Sequence, residues 1–127
     1  STMGAKITFA GPRSLMPADV DSLGGVYRPD GLQAAKDAGI VYLLRIQKER
    51  QQQEEFFPSV DEYHRYFGAS SQTVPAGTLI MHPGPINRGV EIASPVADGP
   101  DSLILDQVRS GVATRMAILD LCLGGVA

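Results

Sequence analysis

The run Leu43, Leu44, Arg45, Ile46, Gln47, Lys48, Glu49, Arg50 changes character within a few positions. Aliphatic residues give way to a guanidinium, then an amide, then mixed charge. A guanidinium presents a planar fork of donors that matches a carboxylate or a phosphate. Arg45 is the candidate for such a clamp. Gln47 lies two residues on and shares its side if the chain stays extended. Glu49 can orient a guanidinium from behind. The competing reading is a set of surface charges that cap a strand.

A second stretch, residues 81–92, reads MHPGPINRGVEI. Pro83 and Pro85 have no backbone N–H and stiffen the chain. Gly84 between them lets another molecule approach the backbone closely. A stiff segment with free carbonyls suits recognition of an amide or ammonium donor; a plain strand stop is the alternative. A cis bond or tight turn is compatible with this Pro-Gly-Pro pattern. Arg88 and Glu91 follow in the same loop. They can tie to Glu49 or Arg50 through ion pairs, or be ordinary solvated charges.

Other chemistries find little support. The chain has no GxGxxG after a strand and no GxxxxGK[ST]. His64 and His82 are not spaced as metal ligands, and Cys122 is alone, so neither a metal nor a cofactor is expected. His64 stands beside Tyr63, Tyr66 and Phe67 and reads as structural. Cys122 reads as a small apolar core residue. No serine is framed as a nucleophile elbow. The net charge of −3 argues against nucleic acid, which calls for a basic stripe. No apolar run approaches the ~18–20 residues that span a bilayer. A lone cysteine excludes an internal disulfide and makes a reducing compartment, the cytoplasm, the default.

The elements that must position these groups follow from periodicity. The length of 127 residues is that of one ordinary domain. Buried strands are expected at 6–12, 40–45 and 77–85, with a short one at 25–30. Helices are expected at 31–38, 59–68 and 101–123, with Gly39 and Gly68 as stops. Residues 14–25 read as loop with one helical turn after Pro17, and residues 86–100 as a long loop. The last helix repeats apolar residues at Leu103, Ile104, Val108, Val112, Met116, Leu119 and Leu123. Gly111 weakens its middle by about 1 kcal/mol relative to Ala. The opening STMGAK reads as the tail of a helix, with Gly4 as its cap, so the chain begins partway through a larger pattern. Short apolar strands alternating with helices predict an α/β fold on a mostly parallel sheet. In such sheets ligands bind beyond the carboxyl ends of the strands. Arg45 and His82 both fall there.

LLRIQKER, IMHPGPINRGVEI, VADGPDSLILDQV and SGVATRMAIL together resemble the C-terminal half of the aspartate carbamoyltransferases. The resemblance runs over nearly the whole chain, from MGAKITFAGP through FFPSVDEYHRYFG to the last helix. The ornithine-using sister family carries a His-Cys-x-Pro element where this chain has HPGP, and an SMG loop absent here.

The resemblance implies transfer of a carbamoyl group from carbamoyl phosphate to L-aspartate, an early step of pyrimidine synthesis. It implies a three-layer, Rossmann-like fold, with residues 1–127 forming an incomplete, doubly wound aspartate-binding domain. Arg45 and Gln47 would grip the aspartate carboxylates. Pro83 and Gly84 would offer backbone carbonyls to the carbamoyl amide. Glu49, Arg50, Arg88 and Glu91 would match the mobile region that closes over the ligands. His82 would belong to the framework and not transfer a proton. The implied partners are an N-terminal carbamoyl-phosphate domain and other catalytic chains in a trimer. The family's Ser-Thr-Arg-Thr phosphate loop and His-Pro-Thr-Gln element are not found here, so no catalytic residue is assigned and the chain alone is expected to be inactive. Residues 100–126 would pack back on that domain. Alone, the chain would expose part of that helix and a sheet edge, both aggregation hazards. Two alternatives stay open: a non-catalytic dicarboxylate-binding module, and a carbamoyltransferase for another amino acid such as ornithine or succinylated ornithine.

Overall fold

A computed structural model of the chain describes residues 4–46 and 59–124. Strand β1 (Thr8–Ala10) pairs in parallel with β2 (Val26–Arg28), and β3 (Ile40–Tyr42) pairs in parallel with β4 (Leu79–Met81). The helices are α1 (Gly31–Lys36), α2 (Val60–Phe67), α3 (Ser94–Ala97) and α4 (Ile104–Leu123). The class is α/β with parallel strands, in line with the sequence. The single mostly parallel sheet is resolved, among the described residues, into two separate two-stranded ladders.

Local chemistry sets several boundaries. The Asp30 carboxylate accepts from the Gln33 amide at 3.0 Å and starts α1. The Ser59 hydroxyl accepts from the Glu62 amide at 3.2 Å and starts α2, whose first turn carries Asp61 and Glu62 near the positive end of the helix dipole. Gly68 follows α2 as its cap, its amide donating to the His64 carbonyl at 3.0 Å. In α1 the stop comes earlier than Gly39, at Asp37.

Elsewhere, packing overrides the pattern. The segment 13–24 holds two 3₁₀ turns, Arg13–Leu15 and Val20–Leu23, instead of one turn after Pro17. The long loop expected at 86–100 contains the single-turn helix α3. The last helix begins at Ile104 and not at residue 101, because 101–103 run alongside β4. There the Ile80 amide donates to the Asp101 carbonyl at 2.9 Å, and the Leu103 amide donates to the Ile80 carbonyl at 2.8 Å.

This arrangement centres the core on β4. Ile80, Ile92, Ala69, Ala97 and Ile104 form it, with Val41, Leu43, Val74, Ile86 and Val96 packed against them. Side chains alternate along β3, so Val41 faces this core while Ile40 and Tyr42 remain 55% and 52% exposed. Strand β3 is therefore covered on one face, not buried on both. The same correction applies to α4. Ile104 is its one buried residue, whereas Met116, Leu119 and Leu123 are well exposed. Cys122 is exposed too and is not a core residue, because nothing in the described chain packs on that end of the helix. Among the described residues no helix is long and apolar enough to cross a membrane.

Candidate functional site

The site lies past the carboxyl ends of β3 and β4. Tyr42 is in register with Met81, and Arg45 and Gly84 are each the third residue beyond that pair. The ladder continues one step, with the Leu43 amide donating to the Met81 carbonyl at 2.9 Å. Arg45 then emerges exposed while Ile46 turns inward. Gln47, Glu49 and Arg50 lie outside the described residues.

His82 leaves β4 fully buried, at 0% exposure. Its backbone amide donates to the Gln107 side-chain oxygen at 3.0 Å, and Gln107 donates in turn to the Tyr42 hydroxyl at 2.8 Å. Helix α4 is thereby stitched to the ends of both strands. The His82 Nδ1 accepts the Gly84 amide at 2.9 Å. The ring's proton on that tautomer is on Nε2. Nε2 stands 3.3 Å from Glu91 Oε1 but out of hydrogen-bonding alignment, so this contact is electrostatic. The Gly84–Pro85 peptide is cis. Pro83 and Pro85 are exposed and Gly84 is half-buried, so the segment that the imidazole braces sits at the surface.

Glu91 is 1% exposed. Its Oε1 accepts the Asn87 backbone amide, and its Oε2 accepts Asn87 Nδ2 at 3.2 Å. A buried carboxylate needs such donors to offset lost hydration. The same Nδ2 donates to the Ile46 carbonyl at 2.9 Å. Glu91 is thus an internal brace of the 82–92 loop, which removes the solvated-charge alternative that the sequence left open. Burial, and after it the Glu91 charge, pushes the Tyr63 hydroxyl up to about 12. His64 Nδ1 lies 2.9 Å from the Val90 carbonyl, which gives it the structural place its aromatic neighbours predicted. Arg88 forms a two-pronged pair with Asp98, at 2.7 and 2.8 Å, and this holds the Asp98 carboxyl below its ordinary value. The ion pairs considered between this loop and Glu49 or Arg50 fall outside the described residues.

Sequence reasoning missed Asn87 and Gln107. Gln107 carried a readable signal, since it stands three residues after the buried Ile104 on a helix and so shares its face. Asn87 carried none. An open groove of about 490 Å³ runs beside this end, with Met81, Leu103, Gln107, Gly111 and Arg115 among its lining. Among the described residues no cluster of His, Cys, Asp and Glu could hold a metal ion.

A family model described as the Asp/Orn-binding domain of aspartate/ornithine carbamoyltransferase matches residues 1–122. The aspartate carbamoyltransferase catalytic subunit of Xanthobacter autotrophicus is 51% identical over 122 residues, covering 94% of this chain and 38% of that protein. Ornithine carbamoyltransferase from Pyrococcus furiosus shares the fold, with a TM-score of 0.73 at 24% identity over 98% of this chain and 44% of its own. Aspartate transcarbamoylase from Trypanosoma cruzi, solved with carbamoyl aspartate and phosphate, gives a TM-score of 0.65 at 25% identity over 88% of this chain and 38% of its own. The chain spans about two fifths of the length of the curated relatives it matches. It belongs to the aspartate/ornithine carbamoyltransferase family and corresponds to the amino-acid-binding domain.

Proposed function

We propose that this chain is the aspartate-binding part of an aspartate carbamoyltransferase. The reaction it serves joins L-aspartate and carbamoyl phosphate to give N-carbamoyl-L-aspartate and phosphate. The observation that carries the reading is the placement of Arg45 and Gly84 at matched positions beyond two neighbouring parallel strands. The curated relatives, at 44% and 51% identity, favour aspartate as the acceptor over ornithine.

In this reading Arg45, with Gln47, binds the aspartate carboxylates through charge-assisted hydrogen bonds. The carbonyls of Pro83 and Gly84 accept from the carbamoyl amide. The aspartate amine attacks the carbamoyl carbon, a C–N bond forms, the C–O bond to phosphate breaks, and the proton given up by the amine passes to the departing phosphate. Such a reaction needs oriented reactants, and a stabilised oxyanion, more than a protein nucleophile. This domain supplies the orientation of the amino acid and of the carbamoyl amide. Glu49 and Arg50 belong to the segment that closes over the ligands, and Arg88 and Glu91 support it from the fixed loop beneath.

The partner domain that binds carbamoyl phosphate packs on residues 100–126. The exposed apolar side chains Val112, Met116, Leu119 and Leu123 of α4 support this. The reading extends to a trimer of catalytic chains in the cytoplasm, and to an isolated chain without turnover. The test is formation of carbamoyl aspartate by this chain alone and with a separately expressed carbamoyl-phosphate domain, with ornithine as the control acceptor. Product from aspartate in the mixture alone supports the reading. Product from ornithine, or turnover by the chain by itself, refutes it.

A further inference from the structure

We propose that Asn87 is a positioning residue for the amino-acid subsite: its side-chain amide holds the Ile46 carbonyl, and through it Arg45, in register with the carbonyls of Pro83 and Gly84. This rests on the aspartate reading above and adds to it the residue that couples the two halves of the site.

Two features of the loop make the argument. First, residues 82–92 are anchored at both ends without help from β3. At one end the His82 amide is held by Gln107 and the Gly84 amide by His82 Nδ1. At the other, Ala69 donates to the Glu91 carbonyl at 2.9 Å and Ala93 donates to the Ala69 carbonyl at 2.8 Å. The loop is therefore a fixed platform for the carbonyls it presents. Second, Asn87 reaches from that platform across 41 positions of sequence to Ile46, the residue next to Arg45. Both hydrogens of its Nδ2 are used, one on Ile46 O at 2.9 Å and one on Glu91 Oε2 at 3.2 Å. Two acceptors facing one nitrogen fix which way the amide points. Glu91, buried and held between Asn87 and His82, keeps the amide aimed. The guanidinium clamp and the carbonyl pair are thereby set at one spacing, as reaction between two bound substrates requires.

The donor and acceptor pattern supplies the test, run in the catalytically complete enzyme that contains this chain. Asn87→Asp turns the donor to Ile46 into an acceptor and sets two carboxylates together. Glu91→Gln sets two amide donors together. The double variant N87D/E91Q restores a donor–acceptor pair between positions 87 and 91 at unchanged net charge, yet leaves oxygen facing the Ile46 carbonyl. Asn87→Ser keeps the backbone bond to Glu91 but is too short to reach Ile46. Both single charge variants are expected to lower Tm, and the double variant to regain most of it. The KM for aspartate is expected to stay raised about tenfold, the value of one lost hydrogen bond, in Asn87→Asp, Asn87→Ser and the double variant. The KM for carbamoyl phosphate should move far less. Recovery of the aspartate KM together with Tm in the double variant would show a merely structural residue and overturn the proposal. So would an unchanged aspartate KM in Asn87→Ser. A wild-type enzyme that makes no carbamoyl aspartate sinks the underlying functional reading, and this assignment with it; an active wild type with indifferent variants sinks the assignment alone.

Discussion

The imidazole of His82 braces the loop that follows it: Nδ1 accepts the Gly84 amide at 2.9 Å, two residues along the same chain. The imidazole is wholly buried, and it holds the segment that carries the proposed carbamoyl-binding carbonyls. A histidine fixed in this way is occupied on Nδ1 and faces a carboxylate on Nε2. Its place in the structure is that of a support for the segment that follows it.

Replacing His82 by Ala should therefore act on stability and on one substrate. It leaves the Gly84 amide without its acceptor, removes the positive edge facing Glu91, and opens a cavity. A loss of about 2–4 kcal/mol in denaturant unfolding is expected. In the complete enzyme the KM for carbamoyl phosphate should rise more than that for aspartate. Equal effects on both would contradict the placement of Pro83 and Gly84.

Arg45 carries the opposite expectation. It is exposed beyond the carboxyl end of β3, and its removal should act on aspartate more than on carbamoyl phosphate. Arg45→Ala should lower kcat/KM for aspartate on the order of 10²-fold, as loss of charge-assisted bonds to a carboxylate predicts. Arg45→Lys keeps the charge without the fork and should recover only part of this. Steady-state kinetics with aspartate varied at saturating carbamoyl phosphate decides the point.

Tyr63 predicts an alkaline limit to stability. Its hydroxyl is pushed up to about 12 from the ordinary 10.0 because burial disfavours the phenolate and Glu91 adds to that. The folded state thus holds the proton more tightly than the unfolded chain. The contribution is fully present below pH ~10 and is lost as the pH rises toward about 12, a fall of about 2–3 kcal/mol. Tyr63→Phe cannot ionise and should lose that part of the alkaline slope. Urea unfolding at a series of pH values between 9 and 12 measures the difference.

Gly68 is required by space at the end of α2. A Cβ there would lie 2.5 Å from the His64 carbonyl oxygen and would also strike the His64 ring. Gly68→Ala should cost about 1–3 kcal/mol through this overpacking, read as a lower unfolding midpoint at unchanged m-value. A neutral substitution would show that the α2 end relaxes freely, against its tether to Val90 through His64.

Much of the fold was legible because it depends on neighbours in sequence. Ser59 caps α2 three residues before Glu62, and Gly68 closes it, so both ends are local chemistry. Parallel strands were legible from short β-branched runs separated by helices. Of the site, the place of Arg45 and His82 beyond two strand ends followed from the same pattern. Sequence alone left Glu91 between an ion pair with the 49–50 segment and a solvated loop charge, and it assigned Cys122 to a core; packing buried the carboxylate and exposed the thiol. A carboxylate is buried or wet according to what comes to meet it, and Glu91 is met by Asn87 and His82 as its backbone pairs with Ala69. Cys122 sits on an apolar helix whose covering layer is not in this chain's described residues. The sequence by itself determined which segments become helix or strand and which residue types stand at the strand ends, since those follow from short-range propensity and periodicity. Only the tertiary structure decided that Asn87 joins Ile46 to Glu91, because that bond depends on two distant segments arriving within hydrogen-bond reach, and no local pattern encodes such a meeting.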